Sequence, residues 1–415
     1  TRGTQTIETE LKRLFPERSI LRYDALTVAD RDHAAYRVAR DINREITEWD
    51  VVIASPALET GISIDVEHFD SVWAISHGGQ SCDAFRQSLA RVRSDIDRHW
   101  YAPDRATHGF TDSTRATSPR SLIDSVDRKS QALRQQFRQW AEVSDAEFAT
   151  IDGATECWAK MASHLNAQFL RFGDAIAAGL RDEGYTVTPA YAAVSDTDTD
   201  ATRKSIKFTR DENCQDDSDK VAAAKSIDDS TRDARRKQSA LTETERYELR
   251  KSDIADRIAI HPDNVTADDV TRDRDGWTGR ISNHFYLTTG RQYATELDRY
   301  RTGRSHHANG GIWAIDAIHR NVSVRCAALD KLGFTALVQR WESDPDFVFA
   351  PDDFENMATA WQTCERDARR WAIGAALSRD DDQLGVKLAR SLFSSIGLKL
   401  IVFGRGSTRD DRSYR

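Results

Sequence analysis

The chain reads as an α/β half-domain built on a parallel sheet and followed by mostly helical domains, and three observations predict this. The unbroken apolar run Val51-Val52-Ile53-Ala54 suits a strand buried on both faces of a parallel sheet. Strand-like runs alternate with helix-length segments over residues 1–100, the layout of parallel strands joined by crossovers. Beyond Trp100 the apolar residues recur at steps of three and four, which is the helical period.

Ile7, Leu11 and Leu14 form one face of an opening helix, Ser19–Tyr23 is a short strand, and Asp30–Ile46 is helical. Val51–Ala54 and Ser71–Ile75 follow as strands, then Ser81–Arg93 as a helix. An incomplete α/β lobe is therefore expected over 1–100. Residues 101–185 are read as a helical accessory domain, with helices over Ser121–Val143 and Glu156–Arg181 and Gly184 placed to end the second. The stretch 186–240 is read as a polar, partly disordered linker, because Ser195–Thr231 is rich in Asp, Thr and Ser. Residues 241–415 make a further helical domain. Thr242-x-x-Glu245 is a capping box that opens its first helix, and Thr266-x-x-Asp269 opens another. A helix through Lys387–Ser395 and a strand over Leu398–Phe403 close the chain.

With 39% hydrophobic and 30% charged residues, the chain supports real cores under extensive solvated surface. It has no run of about 18 apolar residues, so no membrane span is expected. The five cysteines are odd in number, far apart and without a C-x-x-C pair, which argues against a zinc or other metal site and against a disulfide framework. A reducing cytoplasm is the expected location. Thr1 leads directly into a helical pattern with no Met or signal peptide, so the N-terminus is expected to be cut from a longer chain. A net charge of -8 makes this no simple polybasic binder, yet arginine greatly outnumbers lysine and local basic surfaces can hold phosphates. The many tryptophans, Trp158 among them, are read as core residues on helical faces.

Two segments carry chemistry. Ser55–Asp65 follows the buried strand and emerges at the carboxyl edge of the sheet, where α/β proteins bind ligands. Gly61 permits close backbone approach, and the hydroxyls of Ser55 and Thr60 can bond a phosphate oxygen or a water. The second segment is Gln87-Ser88-Leu89-Ala90-Arg91-Val92-Arg93. On a helix it places Gln87 and Arg91 on one face. An arginine at a helix end can reach across a cleft and neutralise charge on a transferring phosphoryl group. Taken singly, the first segment is equally an ordinary turn and the second is more readily a solvated helix; the specificity lies in the two together.

Together with Phe69-Asp70-Ser71-Val72-Trp73, these segments resemble the C-terminal lobe of superfamily 2 helicases. Val51–Asp65 is similar to motif V and Gln87–Arg93 to motif VI. The wording is most similar to the helicase-like region of cyanobacterial RepA-type plasmid replication proteins, the CyRepA family. The likeness is strongest over Trp49–Arg93. It is looser over Asn283–Arg304, where His284–Arg291 resembles a segment further along those proteins, and over Gly385–Leu400. Ser63 stands where many superfamily 2 proteins carry Asp or Asn, and Ala90 where motif VI has Gly.

The resemblance implies a RecA-like half-lobe of an ATP-driven motor acting on DNA at a plasmid origin. Arg91 and Arg93 would stand near the γ-phosphate and Gln87 near the nucleotide. Ser55, Thr60 and Gly61 would contact nucleic acid, while Glu59, Ser63 and Asp65 would couple it to the nucleotide. ATP and Mg2+ would be held mainly by a missing N-terminal lobe, because G-x-x-x-x-G-K-[ST] occurs nowhere in the sequence. Asp211-Glu212 lacks the preceding apolar strand of a Walker B site. At the other end, Lys387, Arg405 and Arg409 lie on a helix, strand and turn that resemble a small winged helix, a module that sets cations on DNA phosphates. The expected function is the C-terminal part of a helicase-like plasmid replication initiator, coupling ATP hydrolysis to DNA remodelling. The alternatives are a non-enzymatic DNA-binding initiator that keeps the motor fold as scaffold, and a defence-type helicase motor. This chain alone is not expected to hydrolyse ATP.

Overall fold

A computed structural model describes residues 2–55, 62–112, 114–138, 153–190, 196–308, 322–363, 377, 383–404 and 413–414. The chain is mostly helical with small parallel sheets, and it divides into two compact units. The first is Thr1–Ile123 with Gly153–Thr271; the second is Asp124–Asp152 with Arg272–Arg415. These units cut across the expected boundaries at 100, 185 and 240.

The first unit opens with α1 (Arg2–Leu14), β1 (Ile20–Tyr23), α2 (Ala34–Val38), α3 (Ile42–Glu45) and β2 (Val51–Ala54). Then come β3 (Ser71–Ile75), α4 (Cys82–Leu89) and β4 (Asp97–Tyr101). β1 and β2 run parallel, Ile20 opposite Val51 and Tyr23 opposite Ala54. β3 and β4 also run parallel, Ser71 opposite Asp97 and Ile75 opposite Tyr101. Among the described residues the expected single sheet is thus two separate two-stranded pairs. Leu21, Tyr23, Ala35, Val38, Ile46 and Ile64 bury one core against β1 and β2. The predicted helix over Asp30–Ile46 is broken into α2, α3 and a 3-10 turn at Ile46–Glu48. Its start is held open by Asp30 and His33: Asp32 N donates to Asp30 Oδ1 at 3.0 Å, and His33 Nδ1 caps Ala35 N at 3.1 Å.

Helices complete this unit: the start of α5 (Pro119–Arg138), then α6 (Gly153–Leu170), α7 (Phe172–Asp182), α8 (Asp196–Ala223), α9 (Asp229–Arg236), α10 (Glu243–Ile258) and the start of α11 (Ala267–Arg274). Gly184 takes the left-handed conformation after α7, at φ +92, as the sequence predicts. Trp158 on α6 is partly exposed, which corrects its reading as a core residue. The polar linker reading is also corrected, because α8 and α9 occupy most of that stretch. α8 docks on α1 through polar groups. Ser205 and Thr209 donate to the Glu10 carboxylate, and Asn213 Nδ2 donates to Thr9 Oγ1 at 3.1 Å. The Thr209 hydroxyl above all, with Arg13 and Ser205, holds the Glu10 carboxyl below its ordinary pKa. The capping box of α10 is formed, with Thr242 and Glu245 each bonding the other's backbone N–H. Thr266 and Asp269 exchange the same pair of bonds.

The second unit holds α12 (Trp277–Leu287), α13 (Arg291–Ala308), α14 (Val322–Lys331), α15 (Phe334–Ser343), α16 (Glu355–Thr363), α17 (Leu384–Ser395), β5 (Val402–Gly404) and β6 (Ser413–Tyr414). Its core gathers Phe334, Phe349, Phe354, Trp361, Leu388 and Phe393. β5 and β6 are antiparallel, and Tyr414 also bridges Phe349. The closing strand therefore begins at Val402 rather than Leu398; Leu400 is buried in the helical core instead. His306 and His307 belong to the last turn of α13. No helix among the described residues is long and apolar enough to cross a membrane.

Candidate functional site

β2 ends at Ala54, and Ser55 N donates to Tyr23 O at 3.1 Å, so the strand pair persists one residue past its end. Residues 56–61 lie outside the described residues, and with them Glu59, Thr60 and Gly61. The chain is described again from Ile62, and there it meets the arginine segment. Ile64 N donates to Arg91 O and Arg93 N donates to Ile64 O, both at 2.9 Å, which forms a parallel bridge between Ile64 and Val92.

This pairing corrects the expected helix over Ser81–Arg93. The helix α4 stops at Leu89, so Gln87 and Arg91 do not share a helical face. Tertiary packing explains the stop. Cys82, Phe85 and Leu89 fill the core beside Phe172, Ile176 and Leu180 of α7, whereas Val92 packs with Ile64 in the other core. A helix continued past Leu89 would not deliver Val92 to that second core. Ser81 caps the start of α4 by accepting Ala84 N at 3.2 Å. Arg86 crosses Gly179 of α7 to reach Glu183 at 3.3 Å; a Cβ at Gly179 would lie 1.4 Å from its Nη1.

Four of the predicted residues come together around the bridge. Arg91 Nη1 donates to Ile62 O at 2.9 Å, while its buried Nε has no hydrogen-bond partner among the described residues. Arg93 Nε donates to Ser63 Oγ at 3.1 Å, and Ser63 Oγ donates to Asp65 Oδ1 at 2.6 Å. Arg93 and Asp65 are exposed, while Arg91 and Ser63 are half-buried. Gln87 is exposed on α4, on the side away from its buried residues. Lys387 is exposed on α17 in the second unit; Arg405 and Arg409 lie outside the described residues. Arg390, one turn on, stands 5.5 Å over the Tyr414 ring.

Two residues that sequence reasoning missed build this site. Asn43 of α3 donates to Ser63 O at 3.1 Å and accepts from Asp65 N at 2.8 Å, so one amide satisfies both sides of the strand at Ile64. Arg98 of β4 bonds four carbonyls of the turn after α4. Nε donates to Leu89 O at 3.2 Å, Nη1 to Ile96 O at 2.7 Å, and Nη2 to Val92 O at 2.8 Å and Ser94 O at 2.9 Å. Neither signal is local in sequence. The amide of Asn43 and the guanidinium of Arg98 acquire meaning only when the turn between residues 89 and 96 is folded.

Among the described residues no group of His, Cys, Asp and Glu could hold a metal ion. Arg291 forms a two-pronged pair with Asp330, 2.7 Å on each prong, which holds the Asp330 carboxyl below its ordinary pKa.

Comparison with known proteins gives one distant relative. The chain is 26% identical over 421 residues to an uncharacterized protein of Picosynechococcus sp. (strain ATCC 27264 / PCC 7002 / PR-6), covering 99% of this chain and 40% of that protein. The chain thus spans well under half the length of the curated relative that it matches. No protein-family model matches it, and no solved structure does.

Proposed function

We propose that this chain is the second, RecA-like lobe, with accessory helical regions, of a superfamily 2 helicase-like plasmid replication initiator. On this reading ATP and Mg2+ bind mainly to a preceding lobe of the full-length protein. DNA at an origin is the substrate. The observation that supports it best is the Ile64–Val92 bridge, which lays the segment similar to motif V beside the segment similar to motif VI. A coupling lobe needs that adjacency, because a displacement of Ile62–Asp65 by nucleic acid then moves Arg91 and Arg93 directly.

In this reading the two arginines divide the work. Arg93 is exposed and presents its guanidinium to the phosphate. Arg91 is anchored through Nη1 on the Ile62 carbonyl, and its Nε, unpartnered among the described residues, turns to the transferring phosphoryl group when the nucleotide-bearing lobe closes. An arginine acting on a transferring phosphoryl group contributes roughly 10³-fold or more to turnover. In the full-length protein, Arg91→Ala is therefore expected to lower DNA-stimulated ATP hydrolysis by about that factor. DNA affinity should stay within about twofold, since no phosphate contact to DNA is assigned to Arg91. Unchanged turnover would sink the assignment and favour the scaffold reading.

A further inference from the structure

α13 displays a basic and aromatic face that the motor reading leaves unused. Tyr293 and Tyr300 are two helical turns apart, about 10 Å along the axis, and so lie on one stripe. They are 54% and 63% exposed, and Phe285 at the end of α12 is 44% exposed beside Tyr293, with ring centroids 6.2 Å apart. Arg299 and Arg301 flank Tyr300 on either side, and the Arg304 guanidinium stands 5.9 Å from its ring centroid. All three arginines are exposed, and among the described residues none of them pairs with a carboxylate.

The two acids of the same helix only partly offset this charge. Asp298 is fully buried and turned inward, where it accepts Val322 N at 3.1 Å and Ser323 N at 2.7 Å to cap α14. Glu296, three residues after Tyr293 and four before Tyr300, stands on the tyrosine stripe, exposed and accepting a bond from Gln292, so three arginines there face one carboxylate and the face keeps a net positive charge. A helix face with three arginines to one carboxylate is notable in a chain of net charge -8. Cations explain attraction to a polyanion, and protruding tyrosines explain which one. Flat rings stack on exposed bases, which a duplex keeps inside its own stack.

We propose that the exposed face of α13, with Phe285, binds single-stranded nucleic acid: arginines on the phosphates, and Tyr293 and Tyr300 under the bases. The proposal deepens the nucleic-acid side of the function proposed above and is independent of ATP. It is therefore tested on binding alone, so a failure of the motor reading and a failure of this site give different results.

The probe is a fluorescein-labelled oligothymidylate of about 20 nucleotides, long enough for a typical single-strand site. Its anisotropy is titrated with this protein over a range of salt concentrations. Combined Arg299→Gln, Arg301→Gln and Arg304→Gln substitution should weaken binding at least tenfold at low salt and flatten the log–log salt slope by about 2. Tyr300→Ala should lose roughly five- to hundredfold with the slope unchanged, while Tyr300→Phe, which keeps the ring, should bind as the parent does. These side chains are exposed, so the thermal midpoint of each variant should stay at the parent value, which is measured alongside. No binding by the parent protein, wild-type affinity in the arginine or Tyr300→Ala variant, or tighter binding of a duplex of equal length overturns the proposal.

Discussion

Arg98 shows how much of the site rests on one side chain that touches no sequence motif. Its guanidinium ties four carbonyls of the turn that carries Arg91 and Arg93. Removing it strands those acceptors in a half-buried setting, where each costs of order 1 kcal/mol. Arg98→Met is therefore expected to lower stability by about 2–4 kcal/mol. Amides of Ile64 and Arg93 should lose protection in hydrogen exchange, while amides of α7 keep theirs. Equal protection at Ile64 and Arg93 would show that the bridge holds the turn without it. At this scale the sequence was partly legible. Arg91, Arg93, Ser63 and Asp65 do meet, but Gln87 and Arg91 are separated by the end of a helix that periodicity extends too far. Local pattern carries no record of Val92 being needed in the core of Ile64.

Elements were legible where an apolar stripe or a capping motif marks them. β1, β2, β3 and the capping box of α10 all follow from such signals. But β2 is not buried on both faces as its apolar run predicts: Ile53 is buried, Val51 and Val52 are half-buried and Ala54 is exposed. α8 had neither, because its docking face is made of Ser205, Thr209 and Asn213 on the Thr9 and Glu10 side of α1. A face that pairs through hydroxyls and an amide looks like solvated chain in any hydropathy pattern. The C-terminal end of α8 is finished by Lys251 of α10. This lysine is buried, and its Nζ donates to Ala222 O and Ala224 O, both at 2.8 Å. A cation there satisfies orphan carbonyls and complements the negative end of the helix dipole. Lys251→Met should thus cost about 1–3 kcal/mol in urea unfolding despite its similar bulk. A loss below about 0.5 kcal/mol would mean that the buried ammonium gains nothing over an apolar side chain.

Across the whole molecule, alternating strands and helices in the first hundred residues correctly indicate parallel pairing, and the later shift to helical period is equally real. The division into units was not legible, since a chain that returns to an earlier unit leaves no compositional mark at the point of return. The proposed function at this scale rests on a nucleotide-binding lobe outside this chain. It lacks a G-x-x-x-x-G-K-[ST] loop, and the relative it matches is much longer. The proposed division of labour puts nucleotide binding in one lobe and response to DNA in this one. The direct measurement is steady-state ATP hydrolysis by the full-length protein with and without DNA, beside this chain alone under the same conditions. DNA-stimulated turnover is expected of the full-length protein and none of this chain. A full-length protein whose hydrolysis is absent or indifferent to DNA would contradict it, as would turnover by this chain alone.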